Sequence, residues 1–262
     1  MSNKIGWCEE TWNPVVGCTK ISEGCKNCYA ERMAYRLMHM EMASCESNQT
    51  LKYTYVIDVV NKGWNGKTHL IESALEKPFH WGKSRMIFVC SMGDLFHESV
   101  PFEWIDTVFK VMINNERHIF QILTKRPERM VEYFKTFKKD KDFPSQHIWF
   151  GVTTENQDQA EKRIPYLLQI PAKVRFVSYE PALEEIDLEC YGISGCPSEF
   201  IHELDWVIAG FETGAGARPF KKEWIESLYQ QCKAADVPFF DKRNVLGLNI
   251  KQFPKKMNRL GK

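Results

Sequence analysis

Residues 11–30 read TWNPVVGCTKISEGCKNCYA, and the interpretation of the whole chain starts from this stretch. It places Cys18, Cys25 and Cys28 on one short loop with the spacing C-x6-C-x2-C. A helical pattern begins directly after the last cysteine, because apolar residues recur every fourth position from Tyr29 to Leu37. Cys28 therefore lies near a predicted helix N-terminus, where the backbone dipole favours a thiolate.

This array of thiols predicts a metal centre, since three thiolates without a nearby histidine suit a soft metal. A [4Fe–4S] cluster held by three cysteines leaves one iron open, and a substrate or cofactor can bind there. A structural zinc site is the alternative, and Cys8 lies ten residues upstream of Cys18 to supply the fourth thiolate that zinc usually needs. Three unliganded thiols are the remaining interpretation, although free cysteines rarely cluster without a metal or redox role.

The composition is that of an ordinary globular protein, with 44% hydrophobic and 26% charged residues among 262. We expect a cytoplasmic protein that does not associate with membranes, because no apolar run has the length of a membrane span and no signal-peptide pattern is present. In that compartment the nine cysteines are expected to be thiols or metal ligands rather than disulfides. Cys190 and Cys196, near His202, have the spacing C-x5-C, which fits no standard zinc finger.

Apolar runs alternate with amphipathic patterns along most of the chain, which predicts an α/β fold with parallel strands buried on both faces. The predicted strands are residues 13–17, 86–90, 118–123, 147–152, 174–177, 206–209 and 237–240. The predicted helices run from Cys28 to about Ser44 and over residues 102–115, 126–139, 156–169 and 223–235, with Pro165 expected to kink or end its helix. We therefore expect a partial (β/α) barrel of about six to seven parallel strands. A doubly wound open sheet is the alternative.

The domain organisation is expected to be simple. Residues 1–245 form the barrel, and the irregular stretch 45–85 is an insertion with a possible strand at 53–60 and a turn at 63–66. Residues 246–262 form a basic C-terminal tail. The run 242–262 holds seven Lys or Arg and no acid, so it is either a solvated tail or a contact for a phosphate backbone.

Polar residues follow nearly every predicted strand, and the carboxyl ends of parallel strands are where such folds bind ligands. The candidate residues for a cofactor or substrate at this rim are Ser91, Gly93, Asp94, Lys125, Glu155, Glu180 and Glu212. Gly93 permits close backbone approach to a ligand, and Asp94 offers a carboxylate to an ammonium group or a cap to a helix. Lys125 and Arg126 suit an anion. The sequence from Gly214 to Arg218 resembles a phosphate or ribose loop, and a tight turn explains it equally well.

The block WNPVVGCTKISEGCKNCYAER resembles the signature of a phage- and prophage-associated three-cysteine family, most of whose members are uncharacterised. The similarity continues in order at IFVCSMGDLFHESVP, QILTKRPERM, WFGVTTENQ, RFVSYEPAL, and DWVIAGFETGAGARPF followed by VPFFDK. The resemblance implies a radical S-adenosylmethionine (SAM) fold in which the usual C-x3-C-x2-C motif has a longer first gap. It also implies that Met92-Gly93-Asp94 is a variant of the Gly-Gly-Glu-like loop that holds the methionine amino group of SAM.

Membership would imply a radical SAM enzyme. Its [4Fe–4S] cluster, reduced by a flavodoxin or ferredoxin, would cleave SAM to methionine and a 5′-deoxyadenosyl radical, which abstracts a substrate hydrogen. We expect the substrate to be a nucleotide or a modified nucleobase, as in phage DNA modification or repair, because Lys125, Arg126, Arg218 and Lys242 place cations at the rim. A zinc- or cluster-containing nucleic-acid-binding module without catalysis is the alternative. No catalytic residue is identified by the sequence.

Overall fold

The computed structural model describes residues 5–44, 51–137, 145–189, 200–214 and 216–255. Its strands are β1 (Glu10–Trp12), β2 (Val15–Val16), β3 (Ile57–Asp58), β4 (Gly63–Trp64), β5 (His69–Leu70), β6 (Met86–Val89), β7 (Ile119–Thr124), β8 (Ile148–Thr153), β9 (Arg175–Tyr179), β10 (Trp206–Ala209) and β11 (Phe239–Asp241). Its α-helices are α1 (Tyr29–Ser44), α2 (Lys52–Val56), α3 (Glu72–Leu75), α4 (Lys77–His80), α5 (Phe102–Ile113), α6 (Pro127–Glu132), α7 (Gln157–Leu168) and α8 (Lys222–Ala234). Short 3-10 turns lie at Glu23–Cys25 and Phe200–Glu203, and a π-helical turn at Tyr133–Phe137 follows α6.

Seven parallel strands form the main sheet, in the order β1-β6-β7-β8-β9-β10-β11, and the sheet curls into a half-barrel. The prediction of an α/β fold with a partial barrel of six to seven parallel strands is therefore confirmed. Six of the predicted strands match the sheet with ends shifted by at most two residues, because both faces of these strands are buried and their apolar runs are continuous. In β8 every residue is buried.

Aromatic side chains fill the inner side of the curled sheet. The buried members of this cluster are Trp7, Trp149, Phe176, Trp206 and Phe240. Ring centroids lie 4.8 Å apart for Trp7 and Phe88 and 6.1 Å apart for Trp149 and Trp206. Ile5, Phe88 and Leu123 pack against the cluster and also line the large cavity described below. The aromatic cluster therefore packs directly against the lining of that cavity, on the side of the sheet.

The first strand of the sheet is not where it was predicted. Residues 13–17 were expected to form it, but β1 pairs with β6 and β2 pairs in an antiparallel direction with β5. Pro14 has no N–H for a ladder, and its carbonyl accepts a hydrogen bond from the backbone N–H of Ile71 at 2.7 Å. The Trp12 indole donates to the carbonyl of Ala74 at 2.7 Å, so this segment turns away toward residues 69–75.

The stretch 53–60, predicted as a possible strand, begins as a helix instead. α2 covers its first part, and only β3 is extended, pairing with β4. The carboxylate of Glu41 on α1 accepts hydrogen bonds from the backbone N–H groups of Tyr53 and Thr54, at 3.0 and 3.1 Å. These are the donors that a helix N-terminus leaves without partners, so α1 stabilises the start of α2.

The predicted helices are present with small changes. α7 continues through Pro165 to Leu168, because Ala160, Ile164 and Leu167 are buried against the sheet and this packing outweighs one lost hydrogen bond. The end of the predicted helix 126–139 lies outside the described residues, as do Cys190 and Cys196. No helix in the described part of the chain has the length and apolar character needed to cross a membrane.

The beginning of the predicted C-terminal tail packs against the last strands. The Phe253 ring lies 5.4 Å from the ring of Trp206, whose indole N–H donates to the carbonyl of Gln252 at 2.9 Å. The Gln252 side chain accepts a hydrogen bond from the backbone N–H of Phe239 at 2.9 Å. Residues 250–253 thus pack against the half-barrel, while residues 256–262 of the tail lie outside the described residues.

Candidate functional site

A cavity of about 960 Å³ lies at the carboxyl ends of the parallel strands, and all three cysteines of the array line it. Six of the seven candidate rim residues also line this cavity: Ser91, Gly93, Asp94, Lys125, Glu180 and Glu212. Residues as far apart in the sequence as Cys18 and Glu212, 194 positions, therefore lie together at this edge of the sheet, where parallel folds bind their ligands. Glu155 is the exception.

The loop carrying Cys18 is held against the turn after β6. The backbone N–H of Gly17 donates to the carbonyl of Met92 at 3.1 Å, and Gly17 pairs with Gly93 as an isolated parallel bridge. A Cβ atom at Gly93 would lie 2.8 Å from the carbonyl oxygen of Gly17, closer than real Cβ atoms approach. Glycine at position 93 thus allows a close approach between two backbones and fixes where Cys18 enters the cavity.

The other two cysteines sit at the start of α1. Cys25 ends a 3-10 turn, and its backbone N–H donates to the carbonyl of Ser22 at 2.9 Å. Cys28 directly precedes α1, and its carbonyl accepts a hydrogen bond from the N–H of Arg32 at 3.3 Å. The predicted position of Cys28 at a helix N-terminus is confirmed.

Arg126 connects the cysteine loop to the sheet. Its Nη1 lies 3.7 Å from Cys18 Sγ and 3.2 Å from Asp94 Oδ2, and its Nε lies 2.7 Å from Glu98 Oε2. Its Nη2 donates to Thr19 Oγ1 at 2.6 Å. The guanidinium, predicted to bind an external anion, is therefore engaged with protein groups and fixes a cation beside Cys18.

Burial raises the pKa of the Cys18 thiol to about 12, and the Asp94 carboxylate adds to this rise while Arg126 partly opposes it. A thiol with such a pKa is protonated at neutral pH in the metal-free protein. Metal ligation needs the thiolate, so binding of a metal here is coupled to release of that proton.

The carboxylate of Asp94 is fully used within the protein. Oδ1 accepts hydrogen bonds from Phe96 N at 3.0 Å and Thr124 Oγ1 at 2.7 Å. Oδ2 accepts from Lys125 N at 3.1 Å and from Arg126 Nη1. Four donors on two oxygens fill the usual acceptor positions of a carboxylate. In this geometry Asp94 shapes the turn and orients Arg126. It caps no helix among the described residues, since the next helix, α5, begins at Phe102 after Pro101, and its role toward an ammonium group stays a prediction.

Glu155 supports the cysteine loop from behind and does not line the cavity. Its carboxylate is fully buried and lies 2.7 Å from Nη1 of Arg163, which also donates to the carbonyl of Thr153 at 2.7 Å. The other carboxylate oxygen accepts a hydrogen bond from the backbone N–H of Gly24 at 3.3 Å. A Cβ at position 24 would lie 2.9 Å from the Glu155 carboxyl carbon, so the loop packs directly on this ion pair.

Glu212 ties the cysteine loop to the loop after β10. The side-chain amide of Asn27 donates to Glu212 Oε2 at 2.8 Å, and Arg218 Nη2 donates to Oε1 at 2.5 Å. Arg218 also donates to the carbonyl of Glu23 at 2.8 Å. Burial raises the pKa of Glu212, but the hydrogen bonds from Arg218 and Asn27 outweigh it and bring the pKa to about 2. Sequence reasoning missed Asn27, although it lies inside the C-x2-C segment.

The remaining rim residues differ in how many hydrogen bonds and ion pairs they form within the protein. Glu180 pairs with Nζ of Lys242 at 2.6 Å, and its other oxygen accepts from Trp7 Nε1 and Ser178 Oγ, both at 3.3 Å. The Ser91 hydroxyl donates to Asn13 Oδ1 at 3.1 Å. The ammonium of Lys125 has no carboxylate partner among the described residues, so it is available for an external anion.

The donor set leaves both a cluster and a zinc site as predictions. The described lining of the cavity has no histidine and does not include Cys8, which is buried in the aromatic cluster of the half-barrel, but it includes a fourth cysteine, the buried Cys90 that directly follows β6. No group of three or more His, Cys, Asp or Glu side chains is arranged around a single point to hold one ion in the part of the chain that the structure describes. A [4Fe–4S] cluster binds each thiolate through a different iron, so its ligands need not converge in that way.

One family model matches residues 2–257, and it describes a protein of unknown function (DUF5131). The chain belongs to this family. The matched region contains every described residue that lines the cavity. The expectation of an uncharacterised family is confirmed, while its phage association and its radical SAM character stay predictions. Comparison with curated proteins and with solved structures gave no match.

Proposed function

We propose that this protein is a radical SAM enzyme. The observation that carries the proposal is the convergence of Cys18, Cys25 and Cys28 on one large cavity at the carboxyl ends of a parallel half-barrel. Three thiols of this kind suit an iron–sulfur cluster with one open iron. When reduced by a flavodoxin or ferredoxin, such a cluster supplies the electron that cleaves SAM to methionine and a 5′-deoxyadenosyl radical.

The chain's own residues would hold and orient these groups. Cys18, Cys25 and Cys28 would bind the cluster, and Arg126 would keep a positive charge beside the first of them. A hydrogen bond or cation near a ligand sulfur stabilises the added electron of a reduced cluster, so Arg126 would tune the reduction potential. The ion pair of Glu155 with Arg163 and the contacts of Glu212 would keep the cysteine loop in place.

The polar rim supplies candidates for SAM. Lys125 is suited to the carboxylate, since its ammonium has no carboxylate partner in the described part of the chain. Ser91 and Gly93 lie on the turn beside the cysteine loop, where backbone groups can approach a ligand closely. Glu180 and Glu212 remain candidates for hydroxyl groups of ribose or substrate. The aromatic cluster would exclude water from the sheet side of the cavity, which would protect a reactive radical from side reactions.

The size of the cavity agrees with more than one occupant. Its volume of about 960 Å³ lies at the upper end of the range for small-molecule sites, which runs from about 300 to 1,000 Å³. SAM and a substrate beside its 5′ carbon are therefore compatible with one shared cavity. We propose a nucleotide or modified nucleobase as the substrate.

The test is the formation of 5′-deoxyadenosine. Anaerobically purified protein, incubated with SAM and dithionite, is expected to release it, as measured by liquid chromatography and mass spectrometry. Cys28→Ala should abolish the product, whereas Cys232→Ala is the matched control because Cys232 lies on α8, buried in the core and away from the cavity lining. Wild-type protein that carries a reducible cluster but yields no 5′-deoxyadenosine would refute the enzymatic proposal.

A nucleic-acid-binding module with zinc or a cluster but without catalysis is the second candidate, favoured by the excess of cations around the cavity. The two differ in metal content and colour. A zinc protein is colourless, while an iron–sulfur protein is brown because of charge transfer from thiolate to iron.

A further inference from the structure

The cavity is far more basic than the chain as a whole. Seven Lys or Arg side chains and three carboxylates line it, whereas the formal net charge of the 262 residues is +1. A wall with an excess of one sign attracts ligands of the opposite sign and raises their local concentration. The charge of the cavity therefore points to an anionic ligand.

Ion pairing leaves part of this excess uncompensated. Among the lining cations, Arg126 pairs with Asp94, Lys242 with Glu180, and Lys20 with Glu31. The third lining carboxylate, Glu212, is occupied by Arg218, which does not line the cavity. Of the four other lining cations, Arg32 donates to the carbonyl of Asn27 at 3.3 Å. In the described residues, the side chains of Arg36, Lys125 and Arg243 have no carboxylate partner.

SAM and the proposed cluster do not neutralise this excess of positive charge. SAM carries an ammonium, a sulfonium and one carboxylate, and its net positive charge is opposite in sign to that of a cluster with three thiolates. The SAM carboxylate can engage one of the three cations, and Lys125 is next to the turn where SAM is expected. Arg36 on α1 and Arg243 after β11 are then left for another anion.

Aromatic rings accompany these cations. Tyr29 is 51% exposed and lines the cavity together with Trp64 and Phe211. Arg243 Nη2 lies 3.4 Å from Thr213 Oγ1, only two residues from Phe211. Guanidinium groups bind phosphate in a fixed fork geometry, and exposed aromatic rings stack on nucleobases.

We infer that this cavity contains a subsite for a nucleotide, in which Arg36 and Arg243 contact phosphate and Tyr29 and Trp64 contact the base. This inference rests on the proposed function, in that the nucleotide is the substrate. It differs from the expectation drawn from sequence, since Arg126, Arg218 and Lys242 are occupied by internal ion pairs and are not free to meet phosphate.

Binding of defined probes to the full chain tests the inference. Fluorescence anisotropy with a labelled single-stranded DNA dodecamer, and with the RNA of the same sequence, is measured between low and moderate salt. Titrations with dAMP and with deoxyadenosine then show whether one phosphate is sufficient. The variants are Arg36→Gln, Arg243→Gln and their combination. Arg117→Gln is the matched control, because Arg117 is exposed and precedes β7 at the opposite end of the sheet.

Each lost phosphate contact is expected to reduce the slope of log K against log salt by about 0.7 for a single strand. The double variant should therefore lose about 1.4 in slope, while Arg117→Gln retains the wild-type slope. Tighter binding of dAMP than of deoxyadenosine supports a subsite for a single nucleotide, and binding of the dodecamers alone supports a strand. The inference is overturned if wild-type protein binds none of the probes, or if the double variant, folded by circular dichroism, binds like the control.

Radical chemistry is not needed for this measurement. Binding by the protein with all three cysteines of the array replaced by alanine, together with a lost 5′-deoxyadenosine product, would leave the subsite intact. A wild-type enzyme that cleaves SAM but shows no dependence on Arg36 or Arg243 would leave the proposed function intact and remove the subsite.

Discussion

The buried ion pair behind the cysteine loop makes a sharp prediction about stability. Arg163 on α7 is 3% exposed and its partner Glu155 is fully buried, with 2.7 Å between Arg163 Nη1 and Glu155 Oε2. The neighbouring residue on the same helix, Lys162, forms an equally short pair with Asp158 at 2.9 Å, but these side chains are 61% and 60% exposed. Two consecutive residues of α7 thus form one buried and one exposed ion pair.

Arg163→Met keeps much of the packing of the side chain and removes its charge. The variant leaves the Glu155 carboxylate buried without its partner, and such a loss lowers the free energy of unfolding by about 3–5 kcal/mol. Lys162→Met breaks an exposed pair of helix neighbours, which contributes only about 0.3–0.5 kcal/mol. The expected difference is large because water solvates the exposed charges and cannot reach the buried ones.

Urea unfolding of the three proteins, followed by circular dichroism, measures these differences. In the double variant Glu155→Gln/Arg163→Met no charge is left unpaired, and the amide still accepts the hydrogen bond from Gly24. It should therefore be more stable than Arg163→Met alone. Equal effects of Arg163→Met and Lys162→Met would refute the reasoning, because they would mean that Glu155 is solvated or paired otherwise.

A tightly packed glycine and two buried histidines give two further predictions. Gly93→Ala should lower both stability and iron incorporation, since its Cβ would lie too close to the backbone of Gly17. Gly82→Ala is the matched control, because a Cβ at position 82 meets no atom within 4 Å. Equal urea midpoints of the two variants would contradict the close approach at Gly93. Burial holds the pKa of His97 and of His118 below the unfolded value of about 6.5, with Arg126 also lowering that of His97. Below pH 6.5 the unfolded state therefore binds more protons than the folded state, so the free energy of unfolding should decrease as the pH falls. His118→Gln should make this decrease smaller. A urea midpoint that is unchanged between pH 7.5 and 5.5 would contradict this prediction.

The sheet was predictable because its strands are buried on both faces and therefore carry continuous apolar runs. The elements that were mispredicted depend on partners far away in the sequence. α2 starts where it does because Glu41 on another helix caps it, and residues 13–17 leave the sheet because the backbone N–H of Ile71 donates to the carbonyl of Pro14. Neither partner is visible in a local pattern.

The position of the cavity was also predictable, since the carboxyl ends of parallel strands meet at one edge of the sheet. The roles of its residues were less so. Asp94 and Glu155 have the charge expected of ligand-binding residues, but Arg126 and Arg163 occupy their carboxylates. Asn27 meets Glu212 across 185 positions of sequence, so only the folded chain reveals that contact.

The measurement that tests the central claim most directly is iron and sulfide content with electron paramagnetic resonance on anaerobically purified protein. Wild-type protein is expected to hold about four irons and four sulfides per chain. Its reduced signal should change when SAM is added, because SAM occupies the open iron.

The variant with Cys18, Cys25 and Cys28 all replaced by alanine should hold neither iron nor sulfide, while Cys232→Ala should match the wild type. Stoichiometric zinc without iron in the wild type would contradict the account. So would iron and sulfide that persist in the triple variant, or a reduced signal that SAM leaves unchanged.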